Sequence, residues 1–414
     1  MQNLIVVKPY EFVAPNQRVW LQSLVLKFLP SYLRRNYGLA SHEIRHLDRL
    51  RDSLDAKHGI MITANHARPC DPMACGWIRI ALGSPMYCMA SWHLFHESRF
   101  QHWLIRACGG YSVHREGTDA ASVNFTVKAL NNAVRPVVIF AEGAITRSND
   151  VVFPVPEGPA LIARLAARRR AKQSPPGKVV IHPVAFKYFF VGDLEKTVAP
   201  VFDRIERRLS WQTWPNLPLL ERLGKLANAL LCLRELEYFG APQAAGDGLP
   251  RIQDRIESLI EQIIRPVEEE WAAGEPPLEG VYARVQRLRG RIVSDMVADG
   301  VTEDGRVTKD GRWRQLADLY VAGQLGCYPR DYLAGDPSPE RILETVEKID
   351  EDLTDDPAVH RPLHLVIQIG EAIEVSPSRD RGSKQDPLTE LYRSRIAEML
   401  DDINTHPPAG VHSQ

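Results

Sequence analysis

Short apolar runs alternating with helical stretches constrain this chain more than any other feature. Residues 59–64 (Gly-Ile-Met-Ile-Thr-Ala), 86–90, 110–113, 136–140 and 178–186 each have the length and bounded character of a buried strand. Between them, 96–107, 117–132 and 157–172 read as helices. That alternation predicts an α/β class fold, a layered mixed β-sheet flanked by helices. After about residue 203 the rhythm stops, and amphipathic helical segments such as 250–272 and 281–298 follow, with loops marked at 241–248 and 303–311. Strand character returns at 364–375, with a last helix at 386–404. The economical reading is a discontinuous core, with a large helical insertion before the last strand-helix unit. It divides the chain into a first part of the core over 1–203, the insertion over 204–360, the returning strand and helix over 361–405, and a disordered tail over 406–414.

The front of the chain carries a second pattern. Leu21, Leu24, Val25, Phe28, Leu29 and Tyr32 recur at three- and four-residue intervals, with Ser23, Lys27 and Arg34 on the other side. Residues 17–35 therefore predict an amphipathic basic helix, kinked or ended near Leu29 by Pro30. Trp20 and Leu26 widen its apolar face, which suits a membrane surface as well as internal packing. Another helical pattern covers 41–55.

No run reaches eighteen apolar residues, and 19–33 is interrupted by Gln22, Ser23, Lys27, Pro30 and Ser31, so a spanning helix is disfavoured. The start, Met1-Gln2-Asn3, lacks a secretory signal pattern. Six cysteines form no Cys-x-x-Cys pair, so neither a zinc knuckle nor a disulfide framework is indicated, and a reducing compartment fits best. The formal charge of -1 conceals a basic front: residues 1–50 hold seven Lys or Arg against three acids, and 161–190 hold seven against none. Such a front suits phosphorylated ligands or an anionic lipid surface. The expectation is a cytoplasmic protein, peripheral on the inner face of a membrane, with no nucleic-acid partner and an oligomeric state left open.

Directly after the run at 59–64 comes Asn65-His66-Ala67-Arg68-Pro69-Cys70-Asp71. A base and a carboxylate thus emerge from a strand end. On a regular helix five steps of about 100° would leave the two side chains about 140° apart, so only an irregular turn can join them. Pro69 and Pro72 favour such a turn, and Asp71-Pro72 also has the form of a helix N-cap followed by proline. A carboxylate on one imidazole nitrogen leaves the other free to take a proton, which can activate a hydroxyl.

Three later segments also sit at strand ends. Gly109 to Arg115 finishes with a guanidinium able to grip a phosphate. Phe140-Ala141-Glu142-Gly143-Ala144-Ile145-Thr146-Arg147-Ser148 combines a carboxylate, a glycine and a second arginine. Pro183 lies within its strand, which predicts an edge or a bulge where a groove opens. In this order the four segments resemble the glycerophospholipid acyltransferase family, which includes glycerol-3-phosphate and lysophosphatidic acid acyltransferases. The first block matches at Asn65, His66 and Asp71, the second at Gly109 and Arg115, the fourth at Pro183. The third departs: Ala141 stands where the commoner pattern has proline, and Ala144-Ile145-Thr146 lengthens the interval from Gly143 to Arg147, as in a divergent branch.

The resemblance implies transfer of an acyl group from acyl-CoA or acyl carrier protein to a hydroxyl of a lysophospholipid or glycerol phosphate, with no bound cofactor and no metal. It implies His66 as general base, Asp71 as its orienting carboxylate, and Asn65, Arg115, Glu142, Gly143 and Arg147 as substrate-binding residues, with Pro183 a candidate for the acyl groove. Other readings are acyl transfer to a non-glycerol hydroxyl, a metal-dependent hydrolase using His93, His96 and His102 beside His66 and Asp71, and a catalytically silent membrane or partner-binding module. Trp92, Phe95 and Trp103 around those histidines suggest a packed surface instead of a metal set.

Overall fold

The computed structural model describes residues 6–16, 18–117, 119–243, 249–276, 278–298, 306–354, 357–379, 382 and 385–411. The expected loops at 241–248 and 303–311 fall outside these at 244–248 and 303–305. The chain forms two units, one of residues 4–189 and 362–414, the other of 190–361 together with 1–3.

The first unit begins with α1 (Val19–Leu26) and α2 (Leu29–Tyr37), and Pro30 stands in the first turn of α2, so the proline separates two helices as its missing N–H requires. The pattern splits with them. Leu21, Leu26, Leu29 and Leu33 are buried, while Trp20, Leu24, Phe28 and Tyr32 are exposed, so apolar residues occupy both sides. Next come β1 (Leu39–Arg45) and α3 (Leu47–Asp55), where a single helix over 41–55 was expected. The strand is set by its neighbour: Ser41 to Arg45 pair in parallel with residues 364–368, and His46, at φ 60°, turns the chain into α3. A partner so distant in sequence overrides a local helical pattern.

The alternation then runs as read: β2 (Gly59–Ala64), α4 (Asp71–Leu82), β3 (Tyr87–Ser91), a 3-10 turn (Trp92–Phe95), α5 (Arg99–Ala107), β4 (Gly110–Val113), α6 (Ala120–Asn132), β5 (Val137–Phe140), α7 (Gly158–Arg170) and β6 (Val179–Phe190). The chain returns to this unit with β7 (Leu363–Ile369), β8 (Ile373–Glu374) and α14 (Pro387–Thr405). The sheet has the order β1-β7-β6-β2-β5-β3-β4, with β8 antiparallel beside β6. The returning strand therefore lies inside the sheet, between β1 and β6, and the sheet is mixed.

Alternation places Met61, Ile139, Ile181 and Val366 on one face, packed with Val127 and Leu130 of α6, Ala163 of α7 and Tyr392 and Leu400 of α14. His182 points to the other face, where its ring nitrogens meet Ser53 Oγ of α3 at 2.9 Å and the Gly370 carbonyl at 3.0 Å. Pro408 and Val411 are buried, and Val411 joins the core cluster, so the segment expected to be a disordered tail packs as far as 411.

The strand carrying Pro183 corrects one expectation. It is central, between β7 and β2, and Pro183 pairs with Thr63. The Pro183 carbonyl accepts from Gly370 N at 2.8 Å, just past the end of β7. A proline is tolerated there because its missing N–H falls where that neighbouring strand stops. No edge or bulge is needed.

The second unit is helical: α8 (Leu194–Ser210), α9 (Leu219–Phe239), α10 (Leu249–Trp271), α11 (Val281–Ala298), α12 (Arg306–Leu325) and α13 (Pro339–Thr354). The unit begins at Phe190, and the boundary read at 203/204 falls within α8. Buried forks join its helices, Arg222 to Glu206 and Arg255 to Glu235. No described helix in either unit is long and apolar enough to cross a membrane.

Candidate functional site

The parallel strands β2, β5, β3 and β4 point their carboxyl ends to one edge of the sheet, where α/β folds bind ligands. Ile62, Val138, Cys88 and Gly110 share one row. Just past the strand ends, each four residues along the chain from that row, stand His66, Glu142, Trp92 and His114. Three of the four sequence blocks thus converge because of register, which no local pattern carries.

His66 and Asp71 do meet. His66 Nδ1 lies 2.9 Å from Asp71 Oδ2, which also accepts the Arg68 N–H at 2.9 Å. Asp71 Oδ1 accepts a short hydrogen bond from the Tyr188 hydroxyl of β6. The cap reading of Asp71 is overturned: Cys70 is the N-cap of α4, no side chain caps that helix, and the Asp71 carboxylate turns back to the loop. Asp71 is fully buried, whereas the His66 side chain keeps 9% of its surface. Its Nε2 makes no hydrogen bond among the described residues, so an Nδ1–H donated to Asp71 leaves an accessible acceptor on the other nitrogen. The ring lies against Phe140, with centroids 4.5 Å apart.

Asn65 and Glu142, expected to touch substrate, have partners within the fold. The Asn65 amide takes both backbone groups of Phe186, donating to its carbonyl at 3.0 Å and accepting its N–H at 2.8 Å. It continues the β2–β6 ladder where β2 ends. Two residues on, Asn149 Oδ1 accepts Tyr188 N at 2.6 Å. The Glu142 carboxylate accepts His66 N at 2.5 Å and Phe153 N at 2.8 Å. Burial pushes this carboxyl up to about 8, against the pull of the two backbone N–H groups.

The loop after β5 is knitted to the loop after β2. Thr146 N donates to the His66 carbonyl at 2.9 Å and Arg147 N to the Ala67 carbonyl at 3.1 Å. Gly143 at φ 70° and Arg147 at φ 48° both adopt left-handed backbone, which glycine takes without strain and arginine takes only when its surroundings impose it. Arg147 is buried. The longer interval between them is therefore used: its residues supply the rungs between the loops.

Arg115 stands apart. It is half-buried, two residues past the end of β4, a strand three spacings or about 14 Å from β2. Its loop is pinned by Asp119, which accepts His114 N at 2.9 Å and Ser122 N at 2.8 Å. Pro183 is buried, level with Thr63 and three residues short of the His66 row. Of the other histidines, His93 meets Ser91 Oγ at 2.8 Å and His102 the Phe95 carbonyl at 3.1 Å.

The sequence reading missed Tyr188 and Asn149. The strand was ended at 186, yet Phe186-Lys187-Tyr188-Phe189-Phe190 continues its apolar character. Extending the alternation by two residues puts Tyr188 on the face of Phe186, toward the loop of His66.

Residues 42–187 match the Acyltransferase family model, a span covering all four blocks. A 1-acyl-sn-glycerol-3-phosphate acyltransferase of Streptococcus pneumoniae (strain ATCC BAA-255 / R6) is 35% identical over 81 residues, which are 20% of this chain and 28% of that protein. The chain thus spans less than a third of this relative's length.

Proposed function

We propose that this chain, which belongs to the glycerophospholipid acyltransferase family through its residues 42–187, transfers a fatty acyl group from an acyl thioester to a hydroxyl of a lysophospholipid or glycerol phosphate. The observation that carries the reading is the His66–Asp71 bond at the end of β2. His66 Nε2 takes the proton of the acceptor hydroxyl as its oxygen attacks the thioester carbonyl carbon. The imidazolium that forms is stabilised by Asp71. The tetrahedral centre collapses with the C–O bond made and the C–S bond broken, and the thiolate leaves with the proton held by His66. Acyl-CoA and acyl carrier protein both supply such a donor, and no bound cofactor or metal has a part in these steps.

Tyr188, Arg68 N and the Glu142 carboxylate hold the pair in place without touching the acceptor. Arg115, beyond β4, is the guanidinium we assign to the acceptor phosphate. The lipid surface is met by the exposed side of α1 and α2. Trp20 is 62% and Phe28 68% exposed, and Lys27, Arg34 and Arg35 are exposed beside them. Phe100 and Trp103 of α5, which touches α1, add two more exposed aromatics. Aromatic and apolar residues with a basic rim suit an anionic membrane interface.

The test is incubation of the purified chain with labelled acyl-CoA and a panel of lysophospholipids and glycerol phosphate, with products identified by mass. An acylated phosphorylated acceptor that disappears in His66→Ala supports the reading; transfer to none of the panel overturns it.

A further inference from the structure

The helical unit contains a pocket of its own, about 330 Å³ and partly open to solvent, lined by α9, α10, α12, α13 and the 328–334 segment. Every wall belongs to residues 190–361. Its lining is mostly hydrocarbon: Leu230, Ile252, Val321, Leu325 and Leu353 present half-buried side chains to it. Protein interiors close-pack and leave few voids larger than a water, and an apolar void stays dry and accepts apolar guests. This one has the size and lining of a ligand pocket.

Gly224 is an independent sign. It lines the cavity from the interior of α9, where glycine weakens a helix relative to alanine. A Cβ built on it meets nothing within 4 Å, so no neighbouring atom demands a glycine there. What it contributes is room. Ala227, one turn further along, is small as well and also lines the cavity.

The polar end lies on α13. Asp352 accepts the Tyr328 hydroxyl at 2.7 Å and Gln324 Nε2 at 3.3 Å. One turn earlier, the Lys348 ammonium donates to the Cys327 carbonyl and lies over the Tyr328 and Tyr332 rings, 5.1 and 5.8 Å from their centroids. At the rim Arg234 pairs with Glu237 at 3.2 Å. Asp331 on the lining is solvent-exposed. The interior thus offers hydrocarbon contact and one hydrogen-bonding end, where Asp352 and Lys348 already have protein partners.

We propose that this cavity binds one uncharged single-chain lipid, its hydrocarbon tail along α9 and α12 and a hydroxyl head at Tyr328 and Asp352. At ~30 Å³ per water-sized group, the volume holds about ten to twelve carbons. The site shares no residue with the His66 constellation and does not depend on the acyl-transfer reading. Burial raises the Asp352 carboxyl, which suits it to face a neutral hydroxyl.

The full chain is titrated by calorimetry with primary alcohols from octanol to hexadecanol, and with decanoate. The expected result is one saturable site per chain, tightest at about ten to twelve carbons, with decanoate at least about tenfold weaker because its carboxylate would be buried without a partner of its own. Gly224→Phe and, separately, Ala227→Phe fill the cavity from α9. Each is expected to abolish alcohol binding while the far-ultraviolet dichroism and the acyl-transfer rate stay those of the unaltered chain. If one variant misfolds, the other decides. The proposal is overturned by absence of saturable binding, by a preference for decanoate, by binding that survives a folded filling variant, or by loss of acyl transfer alongside binding.

Discussion

In the helical unit Glu206 and Glu235 are buried against forked arginines, whereas in the α/β unit Asp71 and Glu142 are buried against neutral donors. Arg222 grips both Glu206 oxygens at 2.8 and 2.7 Å, and Arg255 grips Glu235 at 2.7 Å twice. Each carboxylate also accepts a backbone N–H eight residues on, from Trp214 and Gln243. Burial works to raise Glu235, and Arg255 brings it below the ordinary carboxylate value. Asp71 has an imidazole, a phenol and a backbone N–H; Glu142 has two backbone N–H groups. Neither pairs with Arg or Lys among the described residues. A carboxylate neutralised by a guanidinium is a staple, fixed in charge and geometry. Asp71, held by neutral donors, keeps its field for the imidazole beside it, at a cost in desolvation that the fold carries elsewhere.

The difference can be broken first at its extremes. Asp71→Asn and His66→Ala are expected to lower acyl transfer about 10² to 10⁴-fold, the usual worth of a positioned base, with melting temperatures changed little. Unfolding of either variant would make Asp71 another staple. Arg255→Met is expected to do the reverse, destabilising the helical unit by about 3 to 5 kcal/mol because Glu235 is left buried and unpaired. Glu235→Met with Arg255→Met should recover most of that loss in urea titrations followed by circular dichroism. Failure of the double variant to recover would mean that the arginine is held for packing, not for charge.

Much of this contrast was legible beforehand, and the part that was not has a physical cause. The strand at 59–64 and the histidine at its end follow from a bounded apolar run, and the return of the chain at 364–375 follows from the same signal after a helical block. Pattern carries no register, however. That His66, Glu142 and His114 share one row depends on which strands pair, and β1 was read as helix because its partner lies more than 300 residues away. Side chains that replace backbone partners escape local reading for the same reason. Asn65 and Asn149 complete the ladder of β6, and Tyr188 reaches Asp71 across 117 positions. A strand read as central would also have shown that Pro183 needs a neighbour that ends beside it.

Tyr188 gives a finer test. Its hydroxyl is buried and donates to the Asp71 oxygen that His66 does not use. Tyr188→Phe leaves that oxygen short of a donor inside the protein, a loss of about 1 to 2 kcal/mol, or roughly tenfold in kcat with the acceptor KM unchanged. A melting temperature lowered with kcat unchanged would assign Tyr188 to packing alone.

Glu142 gives the smallest effect and the sharpest sign. Its folded carboxyl is raised to about 8 from an ordinary value of 4.5, so between these limits the unfolded chain has released a proton that the folded chain keeps. The stability this carboxyl contributes is therefore full below about pH 4.5 and is lost as pH rises toward about 8, at no more than about 1.4 kcal/mol per pH unit. Glu142→Gln removes the titration and should flatten that slope in denaturant titrations between pH 5 and 8. It also sets an amide N–H₂ against a backbone donor, either His66 N or Phe153 N, because the amide nitrogen cannot accept, whereas both carboxyl oxygens keep lone pairs even when one carries the proton. The variant should therefore be less stable at pH 5 and closer to the unaltered chain at pH 8. A slope unchanged by the substitution would place the titrating group elsewhere, and Glu142 would then join Glu235 as a carboxylate that stays ionised over this range.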